Sequence, residues 1–173
     1  LGMNSLGYLP KRKFKLNDIV PSEVDIEFIS QKIHGYVHDM GAAMQGGVGG
    51  HAGLFSNAND LAKIMQMFLE EGKYGGERYL SKKVVREFVA CQFCDKLNRR
   101  GAGFDKPVLE NKEGGPTCND CVSLKSFGHS GFTGTLAWAD PETQIIYVFL
   151  SNRTYPYSDN KKLLDMNVRT EIM

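Results

Sequence analysis

Apolar residues recur with helical spacing in two stretches of the chain. Over residues 57–71, Leu61, Ile64, Met65, Phe68 and Leu69 fall at i, i+3, i+4, i+7 and i+8, which is one face of an α-helix. Ser56 or Asn57 can cap its start and Gly72 can end it. From Ser81, another capping residue, Val84, Val85, Phe88 and Val89 repeat the pattern over a shorter stretch that ends near Cys91. The two helices are expected to pack side by side.

Beyond Asn98 glycines and β-branched residues replace this spacing, and the polar stretch 109–125 reads as a long loop. Residues 127–139 and 144–151 read as the two strands of a hairpin joined by Asp140-Pro141-Glu142-Thr143, with Asp at the first turn position and Pro at the second. The second strand, from Ile145 to Leu150, is apolar on both faces, so it is expected at the centre of the sheet with helices over both sides. A final helix from about Asp159 would cover one side through Leu164, Val168 and Ile172. Residues 17–36, with scattered apolar positions and one Pro, read as an irregular lead-in. The pattern predicts an α+β fold, an antiparallel sheet flanked by helices, as a single domain over residues 1–173.

Composition narrows the function. The 173 residues carry 21 Lys+Arg against 20 Asp+Glu, a net charge of +1, with no block of like charges. That leaves no electrostatic footprint for nucleic acid or for an anionic membrane surface. The longest uninterrupted apolar run, Ile145 to Leu150, falls far short of the roughly 20 residues a membrane-spanning helix needs. The chain starts at Leu1 without an apolar leader, so it reads as the interior of a longer polypeptide, and a catalytic group could be supplied from upstream.

Three sequence features could carry chemistry. Gly128-His129-Ser130-Gly131-Phe132-Thr133-Gly134-Thr135 sets a His, hydroxyls and small residues at the hairpin, where a substrate backbone could lie against the strand. It is not a G-x-S-x-G nucleophile elbow, because Phe132 stands where the last Gly is needed and a strand follows. Taken alone, its glycines could equally serve only to relieve crowding in a twisted strand. The run Gly47-Val48-Gly49-Gly50-His51-Ala52 fits G-x-G-x-x-A, but no strand precedes it, which argues against dinucleotide binding and for a tight turn before the helix. His51 reads either as a substrate contact or as a hydrogen-bonded structural residue, and His38 and Asp39 likewise. Cys91-Gln92-Phe93-Cys94 and Cys118-Asn119-Asp120-Cys121 form two C-x-x-C pairs. Cys91, Cys94, Cys118 and Cys121 could hold a structural zinc, or form disulfides that staple the 109–125 loop to the second helix, with free thiols the third state.

The 128–135 segment resembles the third signature element of the serine β-lactamase and penicillin-binding protein superfamily, the K-T-G strand, in a His-Ser-Gly form seen in esterase-like and class C-like relatives. Val20-Pro21-Ser22-Glu23, Gly35-Tyr36-Val37-His38-Asp39, the stretch Gly46-Gly47-Val48-Gly49-Gly50-His51-Ala52-Gly53-Leu54-Phe55-Ser56, Gly101-Ala102-Gly103-Phe104-Asp105 and Ser151-Asn152-Arg153 resemble the same family. The resemblance implies the C-terminal part of such a domain, including the subgroup in which it follows a family 3 glycoside hydrolase domain. It further implies a periplasmic or cell-envelope location and no cofactor for chemistry. The substrate would be a small or peptide-like amide, ester or β-lactam, opened through an acyl-enzyme. His129, Ser130 and Gly131 would line the active-site strand, the Phe132 N–H would be an oxyanion donor, and His51, Asp39 and Thr133 would meet the substrate.

Two departures matter. His129 stands where Lys is usual, which removes a permanent charge. The family's S-x-x-K nucleophile precedes this region in chain order, whereas Ser158-Asp159-Asn160-Lys161 lies downstream, where a helix N-cap is wanted. The chain is therefore expected to hold half of a site and to be inactive alone. If the rest of the sheet comes from elsewhere, its exposed edge invites a homodimer. A different class of reading is a non-catalytic binding module held by a four-cysteine zinc site.

Overall fold

The computed structural model describes residues 1–96, 98–108, 117 and 121–173. Its elements run β1 (Pro21–Val24), β2 (Lys32–His34), α1 (Met40–Met44), α2 (Ala58–Leu69), β3 (Lys73–Tyr74), β4 (Glu77–Arg78), α3 (Lys82–Val89), β5 (Phe127–Ser130), β6 (Leu136–Asp140), β7 (Ile145–Phe149), α4 (Lys162–Asp165) and α5 (Val168–Ile172). The arrangement is α+β, with all strand pairing antiparallel: two hairpins, β1-β2 and β3-β4, and a sheet ordered β5-β6-β7.

The α2 helix begins because the Asn57 side chain accepts the Asp60 N–H at 2.9 Å, satisfying a donor that the first turn leaves free. It ends at Gly72, whose φ of +92° suits glycine and whose N–H returns to the Met67 carbonyl at 2.8 Å. Its apolar face lies on the sheet, where Met65 and Leu69 pack with Phe127 and Ala139. Phe104 sits edge-on to Phe68 at 4.9 Å and to Phe127 at 5.1 Å. Burial of each large side chain here contributes about 1.5–3 kcal/mol.

Because that face is used up by β6 and β7, α2 does not run beside α3 as its pattern suggested. Instead Glu71, just past α2, binds Lys82 at 2.5 Å and Arg86 at 2.7 Å and so ties down the α3 start, which Ser81 caps through the Val84 N–H.

The stretch expected as one strand over residues 127–139 is two. The chain reverses at residues 131–135, where the Gly131 N–H meets the Thr135 carbonyl at 2.8 Å and Gly134 has φ +104°. The added strand shifts the sheet: β6 is the centre, with Leu136, Trp138 and Ala139 almost fully buried, and β7 is an edge on which Ile145 is exposed. The expected central position of the 145–150 strand is thus corrected. The turn after β6 forms where predicted, with the Asp140 carboxylate accepting from Glu142 N–H at 2.9 Å.

The lead-in over residues 17–36 contains the β1-β2 hairpin, whose loop is held by the Asp25 carboxylate accepting the N–H groups of Glu27, Phe28, Ile29 and Ser30. β1 is tied to the C-terminal segment: Val24 N–H donates to the Pro156 carbonyl at 2.8 Å, Thr154 Oγ1 donates to the Ser22 carbonyl at 2.7 Å, and Asn152 Nδ2 donates to the Pro21 carbonyl. The final helix is broken in two at Asn167, in the left-handed region at φ +48°. Ser158 does not cap it; Lys161 holds that position, without a side-chain hydrogen bond. No helix among the described residues is long and apolar enough to cross a membrane.

Candidate functional site

The outer edge of β5 is paired only at its start among the described residues. Gly128 exchanges two backbone hydrogen bonds with Asp105, at 2.7 and 3.1 Å, on the side away from β6. Backbone groups of an antiparallel strand alternate in direction, so the Ser130 N–H and carbonyl face that same outer edge two residues on. Only Gly fits at 128, since a Cβ there would overlap the Ala137 carbonyl and the Trp138 ring on β6. Beyond Ser130, the Phe132 N–H has no acceptor among the described residues.

The Phe132 turn is clamped from both sides. Arg153 places its guanidinium 4.4 Å from the Phe132 ring centroid and donates from Nε to the Phe132 carbonyl at 2.8 Å. Its N–H donates to the Thr133 carbonyl at 3.0 Å, and Ser151 Oγ donates to the Gly134 carbonyl at 2.9 Å. His38 stacks on Phe132 at 5.4 Å between ring centroids. His38 Nε2 is in turn 2.6 Å from Glu23, whose other oxygen accepts the Ser158 N–H at 3.0 Å. Burial pushes the Glu23 carboxyl up, but hydrogen bonds from Ser158 and His38 outweigh it and hold the group below its ordinary value. Ser158 and Lys161 lie in the turn before α4, where their S-x-x-K spacing does not stack them on a helical face.

His129 hydrogen-bonds through both ring nitrogens: Nδ1 is 2.7 Å from the Ser130 carbonyl and Nε2 is 2.8 Å from Arg100 Nη1. Arg100 Nε also lies 3.4 Å from the buried Asp105 carboxylate, which Arg99 holds at 2.6 Å. A groove of about 320 Å³ opens beside the turn, lined by Ser151, Asn152, Arg153, Asn160, Lys162, Leu163, Met166 and Val168. Arg169, which donates to the Thr135 carbonyl at 3.2 Å, is pushed below its ordinary pKa by burial and then by the nearby Arg153 charge.

The structure thus brings His129, Ser130, Gly131, Phe132 and Thr133 together at one strand end. His51 and Asp39 pair with each other at 2.9 Å, and the same Asp39 oxygen caps α1 by accepting the Ala42 N–H at 2.8 Å. The Ala42 hydrogen bond, followed by that of His51, lowers the Asp39 pKa. Neither side chain hydrogen-bonds to the 129–133 segment among the described residues. Cys91 and Cys94 are joined in a disulfide within their own C-x-x-C, so this bond staples nothing to the 109–125 loop. A four-thiolate zinc site would need both as thiolates, and the two states exclude each other. Cys121 is also disulfide-bonded, and Cys118 lies outside the described residues. No cluster of His, Cys, Asp and Glu that could hold a metal ion occurs among the described residues.

Arg100, Arg153 and Glu23 were not singled out as functional by the sequence. Ser151-Asn152-Arg153 was visible as part of a resemblance, but nothing in local spacing could place Arg100 on a histidine 29 residues away.

Fold and site together define an α+β domain whose antiparallel strand offers a glycine-relieved, partly unpaired edge next to a fixed backbone N–H. The family model described as Beta-lactamase matches residues 16–168, and the chain belongs to that family. It is 38% identical over 130 residues, 74% of its length, to the "Putative D-alanyl-D-alanine carboxypeptidase" of Escherichia coli O157:H7. It is 37% identical over 130 residues, 75% of its length, to the protein of that name in Salmonella typhi. The chain spans 29% of the length of each of these relatives. Among solved structures it is similar to a penicillin-binding protein homolog from Caulobacter crescentus, with 22% identity, a TM-score of 0.46, and 58% of this chain and 27% of that one covered. A beta-lactamase from Mycobacterium bovis gives 22% identity, a TM-score of 0.47, and 66% and 46% coverage.

Proposed function

We propose that this chain supplies the substrate-lining half of a serine acyl hydrolase, acting on an amide, ester or β-lactam bond, whose nucleophile lies elsewhere in a longer polypeptide. The observation that carries the reading is the Phe132 N–H, unpaired among the described residues and fixed beside the open edge of β5 by Arg153 and His38. A substrate carbonyl presented along that edge would meet it, and an oxyanion formed there would be stabilised by a donor already in position. An extended acyl group would pair with the Ser130 backbone as an added strand, with Thr133 flanking it.

Family membership over residues 16–168 supports the hydrolase class, and the names of the E. coli and Salmonella relatives favour peptide-like substrates ending in a carboxylate. The Ser158 and Lys161 geometry supports a nucleophile outside this chain. The outer edge of β7, unpaired among the described residues, favours a sheet completed by strands from the rest of the polypeptide, or by a second copy when the chain is alone. A disulfide between Cys91 and Cys94 favours an oxidising compartment such as the periplasm or cell envelope. The test is turnover of a chromogenic β-lactam and a chromogenic ester by the 173-residue chain. No turnover is expected; a rate abolished by Ser158→Ala would place the nucleophile within the chain and overturn the reading.

A further inference from the structure

The hydrogen bonds of His129 fix its chemistry. A guanidinium can only donate, so the Arg100 Nη1 contact at 2.8 Å makes His129 Nε2 the acceptor. A carbonyl can only accept, so the Ser130 contact at 2.7 Å puts the ring proton on Nδ1. Both nitrogens are engaged and the imidazole is neutral. His129 therefore brings no charge to the β5 edge and has no free lone pair to take a proton.

The charge is on Arg100. Arg99, Arg100 and Asp105 meet at one point, two cations against one carboxylate. The closer contact, 2.6 Å, belongs to Arg99, while Arg100 reaches the carboxylate only at 3.4 Å through Nε and stays about half exposed. No other carboxylate pairs with Arg100 among the described residues. The 100–105 segment is a tight reversal, bridged from Arg100 to Asp105, whose far end occupies the β5 edge at Gly128. Arg100 therefore stands beside the line along which a chain pairing with Ser130 would run, held there by His129.

We propose that Arg100 is the anion-recognising residue of this edge, taking a carboxylate on the substrate, with His129 as the positioning residue that aims it. This rests on the hydrolase reading of the β5 edge and names the residue that recognises the substrate carboxylate. A guanidinium matches a carboxylate in geometry as well as charge, and such charge-assisted pairs are stronger than neutral ones.

The test uses the full-length protein and two probes: an acyl thioester ending in a free carboxylate, and the same thioester with that carboxylate methylated. In the wild type kcat/KM is expected to favour the free carboxylate. Arg100→Gln is expected to lower the carboxylate-to-ester ratio about tenfold or more, and Arg100→Lys by less. Comparing two probes within one variant removes any general loss of fold. An unchanged ratio in Arg100→Gln, whatever the absolute rates, overturns the proposal. If the wild type hydrolyses neither probe, the hydrolase reading fails by itself. Equilibrium binding of the two probes then decides the role of Arg100: a carboxylate preference lost in Arg100→Gln supports it, and equal binding overturns it. As a separate readout, the ring 15N shifts of His129 should report Nδ1–H with Nε2 unprotonated in the wild type, and Arg100→Gln should move the Nε2 shift.

Discussion

Arg153 grips Phe132 twice, by its guanidinium 4.4 Å from the ring centroid and by an Nε hydrogen bond of 2.8 Å to the Phe132 carbonyl. One side chain thus fixes both the ring and the carbonyl of the residue whose N–H borders the open strand edge. Arg153→Ala should cost about 1–2 kcal/mol of stability, measured by urea unfolding. It should also slow acylation of the full-length protein on the order of tenfold, because a loosened donor no longer meets the developing charge. A variant with normal acylation would remove Phe132 from the oxyanion role.

Glu23 joins the N-terminal hairpin to the clamp through His38 and Ser158. Its pKa is lowered in the folded chain, so the folded state binds fewer protons than the unfolded one as acid is added. The stabilisation is complete above the ordinary glutamate value of 4.5 and is lost as pH falls through the lower folded value. Unfolding midpoints measured down the acid limb should drop more steeply in the wild type than in Glu23→Gln. Parallel acid limbs would contradict this.

At Gly128 a side chain has nowhere to go, because β6 crosses at the Ala137 carbonyl and Trp138. Gly128→Ala should destabilise the chain by about 2 kcal/mol or more, through displacement of a strand that also carries His129 and Ser130. Gly50→Ala, at a position with open space around it, serves as the control in the same denaturation series.

Much of this was legible in the chain. The period of Leu61, Ile64, Met65, Phe68 and Leu69 and the Asn57 cap predicted α2 because both signals are local. The Asp140-Pro141 turn was legible for the same reason. What failed was long-range. A glycine-rich stretch of alternating residues reads alike as one strand or as two joined by a tight reversal, so β5 and β6 were merged. An apolar run such as the one from Ile145 to Leu150 does not reveal whether a neighbouring strand lies on its far side. The candidate segment 128–134 was legible from residue types; its clamp was not, because Glu23, His38, Arg100 and Arg153 come from distant parts of the chain.

Lys106 is buried, with its Nζ donating to the Lys125 carbonyl at 2.8 Å and lying over the Phe127 ring. Burial pushes its pKa down to about 8, against a smaller opposing pull from Asp140. Below about 8 both folded and unfolded chains hold the proton, and the cost of burying the charge is fully present. Between about 8 and 10.5 the unfolded chain binds more protons than the folded one, so stability should rise with pH. Lys106→Met should flatten that rise in urea midpoints taken across the interval; a slope equal to the wild type's would assign it to other groups.

On the proposed function, this chain carries the substrate edge but not the nucleophile of a Beta-lactamase family site. Intact and peptide mass, recorded after incubation with a fluorescent penicillin, tests it directly on the 173-residue chain and on the full-length protein in parallel. A stoichiometric adduct is expected on the full-length protein, at a serine outside residues 1–173, and none on the chain alone. An adduct within these residues, at Ser158 or elsewhere, would contradict it.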